Sequence, residues 1–347
     1  MTVMQDFANY SLLRHNTFNI DVHCRRFVEV DSAEEALQVF SNMSDADFPL
    51  LIIGQGSNLL FTGDYPSTVV RSAIKGIKIV GENDDKDTVS LRCGSGCCWD
   101  DVVEFCVENG LYGAENLSLI PGDVGASAVQ NIGAYGAEVK DLISEIEAID
   151  IESCKIVTIS ASDCNYGYRQ SRFKNEWRGR FFITKVTYKL SKTFRANIDY
   201  GRIKAELEAA NIVNPTARDV RNTVVKIRRE MLPDTSVEGN AGSFFVNPIV
   251  DESKYNSLRS LYGDIPHYLV EDNKGDKKVK IPAGWLIEQC GWKGKSLGRA
   301  GVHSRQALVL VNRGGATGKE IIDLCNAICR DVTDKFGITI QPEVNII

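Results

Sequence analysis

Apolar and polar positions along the chain alternate, run together or recur at helical spacing in an order that reads as mixed strand and helix. Arg26-Phe27-Val28-Glu29-Val30 alternates with the two-residue period of a strand. Ser32-Ala33-Glu34-Glu35 then has the form of a capping box opening a helix to about Met43. Leu50-Leu51-Ile52-Ile53 is an unbroken apolar run of the buried-strand kind, ending in Gly54-Gln55-Gly56-Ser57-Asn58. Strand-like runs recur at 68–71, 77–80 and 89–92, and 100–109 reads as a helix stopped by Gly110. Further strands are expected at 143–151, 155–159 and 181–190. In the last of these, simple alternation puts Phe182, Thr184, Val186, Tyr188 and Leu190 on one face and Ile183 on the other. Beyond it the pattern predicts helices at 217–230 (stripe Val220, Val224, Ile227), 253–262, 283–290 and 317–336 (stripe Ile321, Leu324, Cys325, Ile328, Val332, Phe336). Strands are expected at 278–281, 307–312 and 338–347.

Composition narrows the class. At 347 residues and 43% hydrophobic content the chain is long enough for two or three domains with sizeable cores. No run approaches the roughly 18 apolar residues of a membrane helix. Residues 1–16 contain Asp6, Arg14 and His15 but no apolar signal core, so a cytoplasmic protein with no membrane partner is expected. Ten cysteines form no CxxC pair and, with four histidines, no zinc spacing; buried thiols in a reducing compartment and no metal are expected. A net charge of −6 argues against a general nucleic-acid binder while leaving room for a local basic pocket.

The stretch Ile120-Pro121-Gly122-Asp123-Val124-Gly125-Ala126-Ser127-Ala128-Val129-Gln130-Asn131-Ile132-Gly133-Ala134-Tyr135-Gly136 is nearly free of charge and rich in glycine. Glycine permits positive φ and close approach, and successive backbone N–H groups in such turns form anion sites, so the stretch suits a backbone cradle for a phosphate-bearing cofactor. It equally suits a connection packed against a sheet, and composition does not choose. The turn 54–58 offers free N–H groups at a strand end, or is a plain turn. A Rossmann fingerprint fails in both places where it begins: Leu59 stands at the third glycine position after Gly54, and Trp99 after Gly94. Gly294-Lys295-Ser296 resembles the end of a P-loop, but Gln289 occupies the first glycine position and a helix precedes it. Asn165–Lys174, with three cations and two tyrosines, reads as a solvated loop or as a carboxylate clamp built on arginine. Gly239–Pro248 is a second glycine-rich site with Ser243 ahead of an apolar pair.

The segments IPGDVGASAVQNIGAYG, NYGYRQSRFK, GNAGSFFVNP, AGWLIEQCGWKGK, VHSRQALVLVN and QPEVNII, in this order, closely resemble the UDP-N-acetylenolpyruvoylglucosamine reductases. The likeness runs from about Asn16 to the C-terminus. It implies an α+β fold of the vanillyl-alcohol-oxidase (PCMH-like) type, with FAD held between two α+β subdomains and a C-terminal α+β substrate domain. The divisions expected are 1–72, joined by 337–347; 73–227; and 228–336. The resemblance also implies NADPH as reductant and the enolpyruvyl ether of UDP-N-acetylglucosamine as substrate, reduced to UDP-N-acetylmuramate for peptidoglycan, by a monomer.

Residue by residue, the resemblance implies Ser243 as proton donor to the substrate carbon. Arg169 and Glu343 would stabilise the enol-like intermediate. A second carboxylate there must be protonated or hydrogen-bonded, which raises the pKa expected of Glu343. FAD contacts are implied at Gly54, Gln55, Gly56, Ser57, Asn58, Pro121, Gly122, Gly125, Ala126, Gln130, Asn131, Gly133, Ala134, Tyr135, Gly136 and Arg228. Substrate contacts are implied at Tyr168, Tyr200, Asn247, Lys293 and Gln306, with Tyr200 closing over the diphosphate. Met231 and Val246 stand where the family often has lysines, so two cations are missing from the uridine diphosphate site. Asp123, Ser127 and Ala128 are unusual in the flavin loop, and Asp123 would oppose a phosphate unless it points away or caps a backbone N–H. Two other readings stay open: a flavin oxidase of the wider superfamily, and a nucleotide-sugar binding protein that keeps the fold without the chemistry.

Overall fold

The computed structural model describes residues 5–82, 87–271 and 275–347; the first four residues of the N-terminal stretch considered above lie outside them. Its elements are α+β and fall into two compact units, one built from the described residues up to Ser11, His23–Gly56 and Tyr65–Glu230, the other from Leu12–Val22, Ser57–Asp64 and Met231–Ile347.

The first unit contains two sheets. Strands Gln5–Ser11, His23–Val30, Tyr65–Ser72 and Leu51–Ile53 lie side by side in that order, the first pair antiparallel and the rest parallel. The second sheet is antiparallel throughout, in the order Lys155–Ser160, Ile143–Asp150, Phe181–Ser191, Thr88–Gly94 and Ile77–Glu82. Its helices are α1 (Ala33–Ser41), α2 (Trp99–Glu108), α3 (Val124–Gln130), α4 (Ile203–Ala209) and α5 (Ala217–Met231). The expected box at α1 is shifted by one residue: Ser32 accepts from the Glu35 N–H, but the Glu35 carboxylate accepts from the Asp31 N–H, ahead of the cap.

Strand Phe181–Ser191 corrects the simple alternation. Glu147 pairs with Lys185 and the next residue, Ala148, pairs with Ile183, so Thr184 is an extra residue and the strand's parity reverses there. Ile183 therefore joins Val186, Tyr188 and Leu190 in a core with Trp99, Val102 and Val124, and Phe182 faces a separate cluster with Val28, Phe40 and Val70. Thr184 is buried and donates its hydroxyl to the Glu147 carbonyl and carboxylate.

In the second unit, strands Gly239–Ser243, Val309–Asn312, Ala300–Val302 and Ser296–Leu297 form an antiparallel sheet, and Ile249–Asp251, Lys277–Lys280 and Tyr268–Glu271 form a smaller one. The helices are α6 (Glu252–Tyr262), α7 (Ala283–Gln289) and α8 (Gly318–Phe336). The α8 stripe expected from its spacing is buried residue for residue. Thr317 accepts from the Glu320 N–H, and the Glu320 carboxylate accepts from the Thr317 N–H at 2.9 Å, a complete capping box. Thr317→Ala should lower stability by about 1 kcal/mol, read as a lower urea midpoint at unchanged m-value.

Two further expectations are corrected. Residues 338–347 form no long strand. Asn345–Ile346 pairs in parallel with Leu59–Leu60, and Pro342, which lacks an N–H, makes a single bridge with Phe245. The 120–136 stretch is no open loop either: Val124, Ala126, Ser127 and Ala128 turn into α3, which ends on Asn131 at φ +47°.

Candidate functional site

In the first unit the glycine-rich stretch is clipped onto the segment before it. The Val124 N–H donates to the Cys97 carbonyl, the Gly125 N–H to Ser95, and the Trp99 N–H to Gly122, whose φ of +121° makes the turn. Gly94 and Gly96, the false start of a fingerprint, serve packing: a Cβ at either would come within 2.4 Å of the Ile74 carbonyl oxygen or 2.6 Å of that of Ser72.

The turn after Leu51–Ile53 meets the entrance of α3. A Cβ on Gly54 would lie 2.9 Å from Asp123 Oδ2 and 3.5 Å from the Ala126 Cβ, so the two expected cofactor segments touch. Gln55 Nε2 donates to Asp123 Oδ1 at 2.7 Å. Asp123 is 2% exposed. Its Oδ2 and, at the other end of α3, Gln130 Oε1 are buried without a hydrogen-bond partner among the described residues. Burial raises the Asp123 pKa to about 6, against the pull of hydrogen bonds from the Gln55 side chain and backbone and of Arg71 and Lys75. Asp123 thus neither points away nor caps the helix; it faces the 54–56 turn. Only an acid in an otherwise uncharged run hinted at this in the sequence.

At the far end of α3, Asn131 is fully buried, donates to Glu138 Oε2 and the Gly167 carbonyl, both at 2.8 Å, and accepts from the Lys140 N–H. These bonds hold the 165–170 loop, so its amide is a structural clasp. Arg169, at φ +57°, reaches back and donates to the carbonyls of Gly133 (2.6 Å) and Asn131 (3.3 Å), with its guanidinium 5.5 Å from the Tyr168 ring centre. A non-glycine residue held in the left-handed region is a strained arrangement that the surrounding bonds must maintain. Arg228 donates to the Leu119 carbonyl, and burial lowers its pKa, opposed first by Tyr135 and then by Asp100, while the Arg169 charge adds to the lowering. Two guanidinium groups therefore act on the same end of the cradle. Tyr200 packs on Gly136, where an added Cβ would lie 3.3 Å from the Tyr200 Cβ and 3.5 Å from its ring. Pro121 lies exposed at the loop's start, and Gly56, buried at φ +69°, closes the 54–56 turn.

Within the second unit, Ser243 ends the strand Gly239–Ser243 and is exposed. The Glu343 N–H donates to the Phe244 carbonyl at 2.7 Å and the Val246 N–H to the Gln341 carbonyl at 2.9 Å, which lays 341–343 alongside 244–246. Ser243 and Glu343, a hundred residues apart, are thereby on neighbouring extended segments. Asn58 joins them: its Nδ2 donates to the Glu343 carbonyl and its own carbonyl accepts from Asn345. Ser57 precedes it, half-buried. Three expected substrate residues gather around α7. Asn247 Oδ1 accepts from the Ala283 N–H, Gln306 Oε1 lies 3.3 Å from where a Gly284 Cβ would be, and Lys293 is ion-paired with Glu288 at 2.9 Å. Lys293 is thus already neutralised in part.

The donor set fits a flavin nucleotide: a glycine-lined cradle that a Cβ would fill at Gly54, two buried polar atoms without partners, and two arginines at one end. All ten cysteines are free, no group of histidine, cysteine and acidic residues among the described residues could hold a metal, and no described helix is long and apolar enough to cross a membrane.

Comparison with known proteins gives the same picture over the whole chain. A family profile described as FAD binding domain matches residues 24–160, and one described as UDP-N-acetylenolpyruvoylglucosamine reductase, C-terminal domain, matches residues 233–347. A UDP-N-acetylenolpyruvoylglucosamine reductase of Bacteroides fragilis (strain YCH46) is 51% identical over 338 residues, 97% of this chain and 99% of that protein. Its counterpart in Flavobacterium johnsoniae is 44% identical over 346 residues, 99% of this chain and 100% of that one. The crystal structure of a UDP-N-acetylenolpyruvylglucosamine reductase from Thermus caldophilus superposes with a TM-score of 0.67 at 20% identity, covering 99% of this chain and 98% of the other, a likeness of fold.

Proposed function

Because this chain belongs to the UDP-N-acetylenolpyruvoylglucosamine reductase family, we propose that it reduces the enolpyruvyl group of UDP-N-acetylglucosamine enolpyruvate to UDP-N-acetylmuramate at the expense of NADPH, with FAD as its cofactor. The observation that carries this reading is identity of 51% sustained over 97% of the chain. The fold is the α+β FAD-binding type with a C-terminal α+β domain. When bound, the flavin supplies hydride taken from NADPH and delivered to the enolpyruvyl double bond.

The chain's own residues do the rest. The 54–58 turn, the 120–136 stretch and Arg228 would hold the cofactor. Hydride arriving at one carbon of the double bond leaves negative charge on its neighbour and the attached carboxylate. Arg169 meets that charge, its geometry fixed by the Gly133 and Asn131 carbonyls. Ser243 gives the proton to the neighbouring carbon, and Glu343 stabilises the enol form. Asn247, Lys293 and Gln306 bind the uridine diphosphate part, Tyr200 closes over the diphosphate, and Tyr168 contacts the substrate. The divisions proposed are subdomains at 1–72 with 337–347, 73–227, and 228–336, which the two compact units cut across at 12–22, 57–64 and 337–347, in a cytoplasmic monomer.

An anaerobic visible spectrum tests the reading. The flavin band should bleach on addition of NADPH and return on addition of the enolpyruvyl sugar nucleotide. Bleaching without return would point to another acceptor, and absence of a flavin band even with added FAD would overturn the cofactor assignment.

A further inference from the structure

Asp123 is the one carboxyl in a stretch otherwise free of charge from Ile120 to Gly136. It is 2% exposed, and its two oxygens differ. Oδ1 accepts from Gln55 Nε2 at 2.7 Å, whereas Oδ2 is buried against the Gly54 backbone and finds no donor among the described residues. A buried, ionised oxygen without a partner is costly, and the neutral acid is the form such a site favours.

The Gln55 side chain and backbone N–H, Arg71 and Lys75 all favour the ionised form, but burial outweighs them. Arg71, from strand Tyr65–Ser72, is paired with Glu29. Lys75 donates to the Gly96 carbonyl. Cys97 is a thiol whose own pKa is raised, chiefly by burial, with Asp123 adding to it. Helix α3 brings no charge. With burial dominant, Asp123 titrates at about 6 in the absence of any ligand. A diphosphate in the cradle formed by the same residues adds negative charge and pushes in the same direction.

We propose that FAD binding by this chain takes up one proton from solvent, carried on Asp123 Oδ2, which turns the unpartnered acceptor into a donor toward the cofactor. This rests on the FAD reading above. The sign follows from linkage: with the carboxyl held protonated to higher pH in the complex than in the free protein, affinity is greatest below pH about 6 and falls as pH rises beyond it. Such a site makes the acid compatible with a phosphate-bearing ligand without pointing it away.

The test is a titration of the full-length protein, stripped of flavin, with FAD between pH 5.5 and 8.5, followed by flavin fluorescence, for the wild type and Asp123→Asn. The wild-type Kd should rise with a slope approaching about tenfold per pH unit above the transition. The amide variant, neutral at every pH, should show a flat profile and bind at least about tenfold tighter than wild type at pH 8. Parallel profiles for the two proteins overturn the proposal and leave FAD binding intact; no binding by either folded protein at any pH overturns the FAD reading with it. Where the variant does not fold, calorimetry of wild type with FAD at pH 7.5 in buffers of different ionisation enthalpy decides. Uptake approaching one proton supports the proposal, and none overturns it.

Discussion

Ser243→Ala should leave flavin reduction by NADPH unchanged and slow reoxidation by the enolpyruvyl substrate by about 10²–10⁴-fold, the span of general acid catalysis. The two half-reactions need different things from the protein. Bleaching by NADPH requires that the cofactor and NADPH be held, and no proton on a substrate carbon. Reoxidation requires a proton on the carbon next to the one that receives hydride, and without a donor that carbon keeps its charge. Ser243 is exposed at a strand end, after Gly242 at φ +67°, so removing its hydroxyl leaves no cavity and no buried group without a partner. Folding and cofactor content should therefore match the wild type, which isolates the chemical effect. Serine is a weak acid by itself, so a water or polar relay must refill its proton. The measurement is anaerobic stopped-flow absorbance of each half-reaction separately. Equal slowing of both, or of neither, would remove Ser243 from the proton-donor role.

Gly318→Ala should cost about 3 kcal/mol or more of stability. Gly318 opens α8, and a Cβ there would stand 1.9 Å from the Phe61 carbonyl oxygen and 2.8 Å from the Thr62 Cα. Both obstacles are backbone. That backbone is tied down, because the Thr62 N–H and hydroxyl each donate to the Ile347 carbonyl at 2.8 Å and Phe61 is fully buried. Neither side can withdraw by the angstrom or more required without breaking hydrogen bonds or the start of the longest described helix. Gly63, two residues along, has open space around it and is the matched control; Gly63→Ala should change stability by less than about 1 kcal/mol. Chemical denaturation of both variants checks this, and a Gly318→Ala protein as stable as the control would mean that the α8 entrance yields.

Much of the fold was legible because the relevant signals are local. The α8 stripe and its Thr317–Glu320 box, the α5 stripe, and the existence of strands at 143–150 and 181–191 follow from periodicity and caps, though the faces of the latter do not. What escaped was short or polar. Gln5–Ser11, with its Gln, Asp and Asn, is a strand because it pairs along His23–Val30, a tertiary cause that composition does not carry. Tyr268–Glu271, Ala300–Val302 and the helix Ile203–Ala209 are too short to establish a period. The cradle was recognisable as small-residue backbone, but its division of labour was not. That Asn131 clasps a loop, that Arg169 donates to the cradle's own carbonyls, and that Asp123 meets Gln55 across 68 residues depend on which side chains the fold brings together.

The extra residue at Thr184 has a bearing on how the first unit comes apart. Because the reversal falls inside one strand, it is Ile183 rather than Phe182 that shares a face with Val186 and Tyr188, and the two adjacent residues anchor the two apolar clusters the other way round from simple alternation. In the neighbouring strand Ala148 and Ile149 are likewise divided between the two clusters. Fraying of either strand at this point loosens both clusters together. The central strands of the antiparallel sheet thus act as a common hinge pin, and their amides are expected to exchange as a single cooperative block.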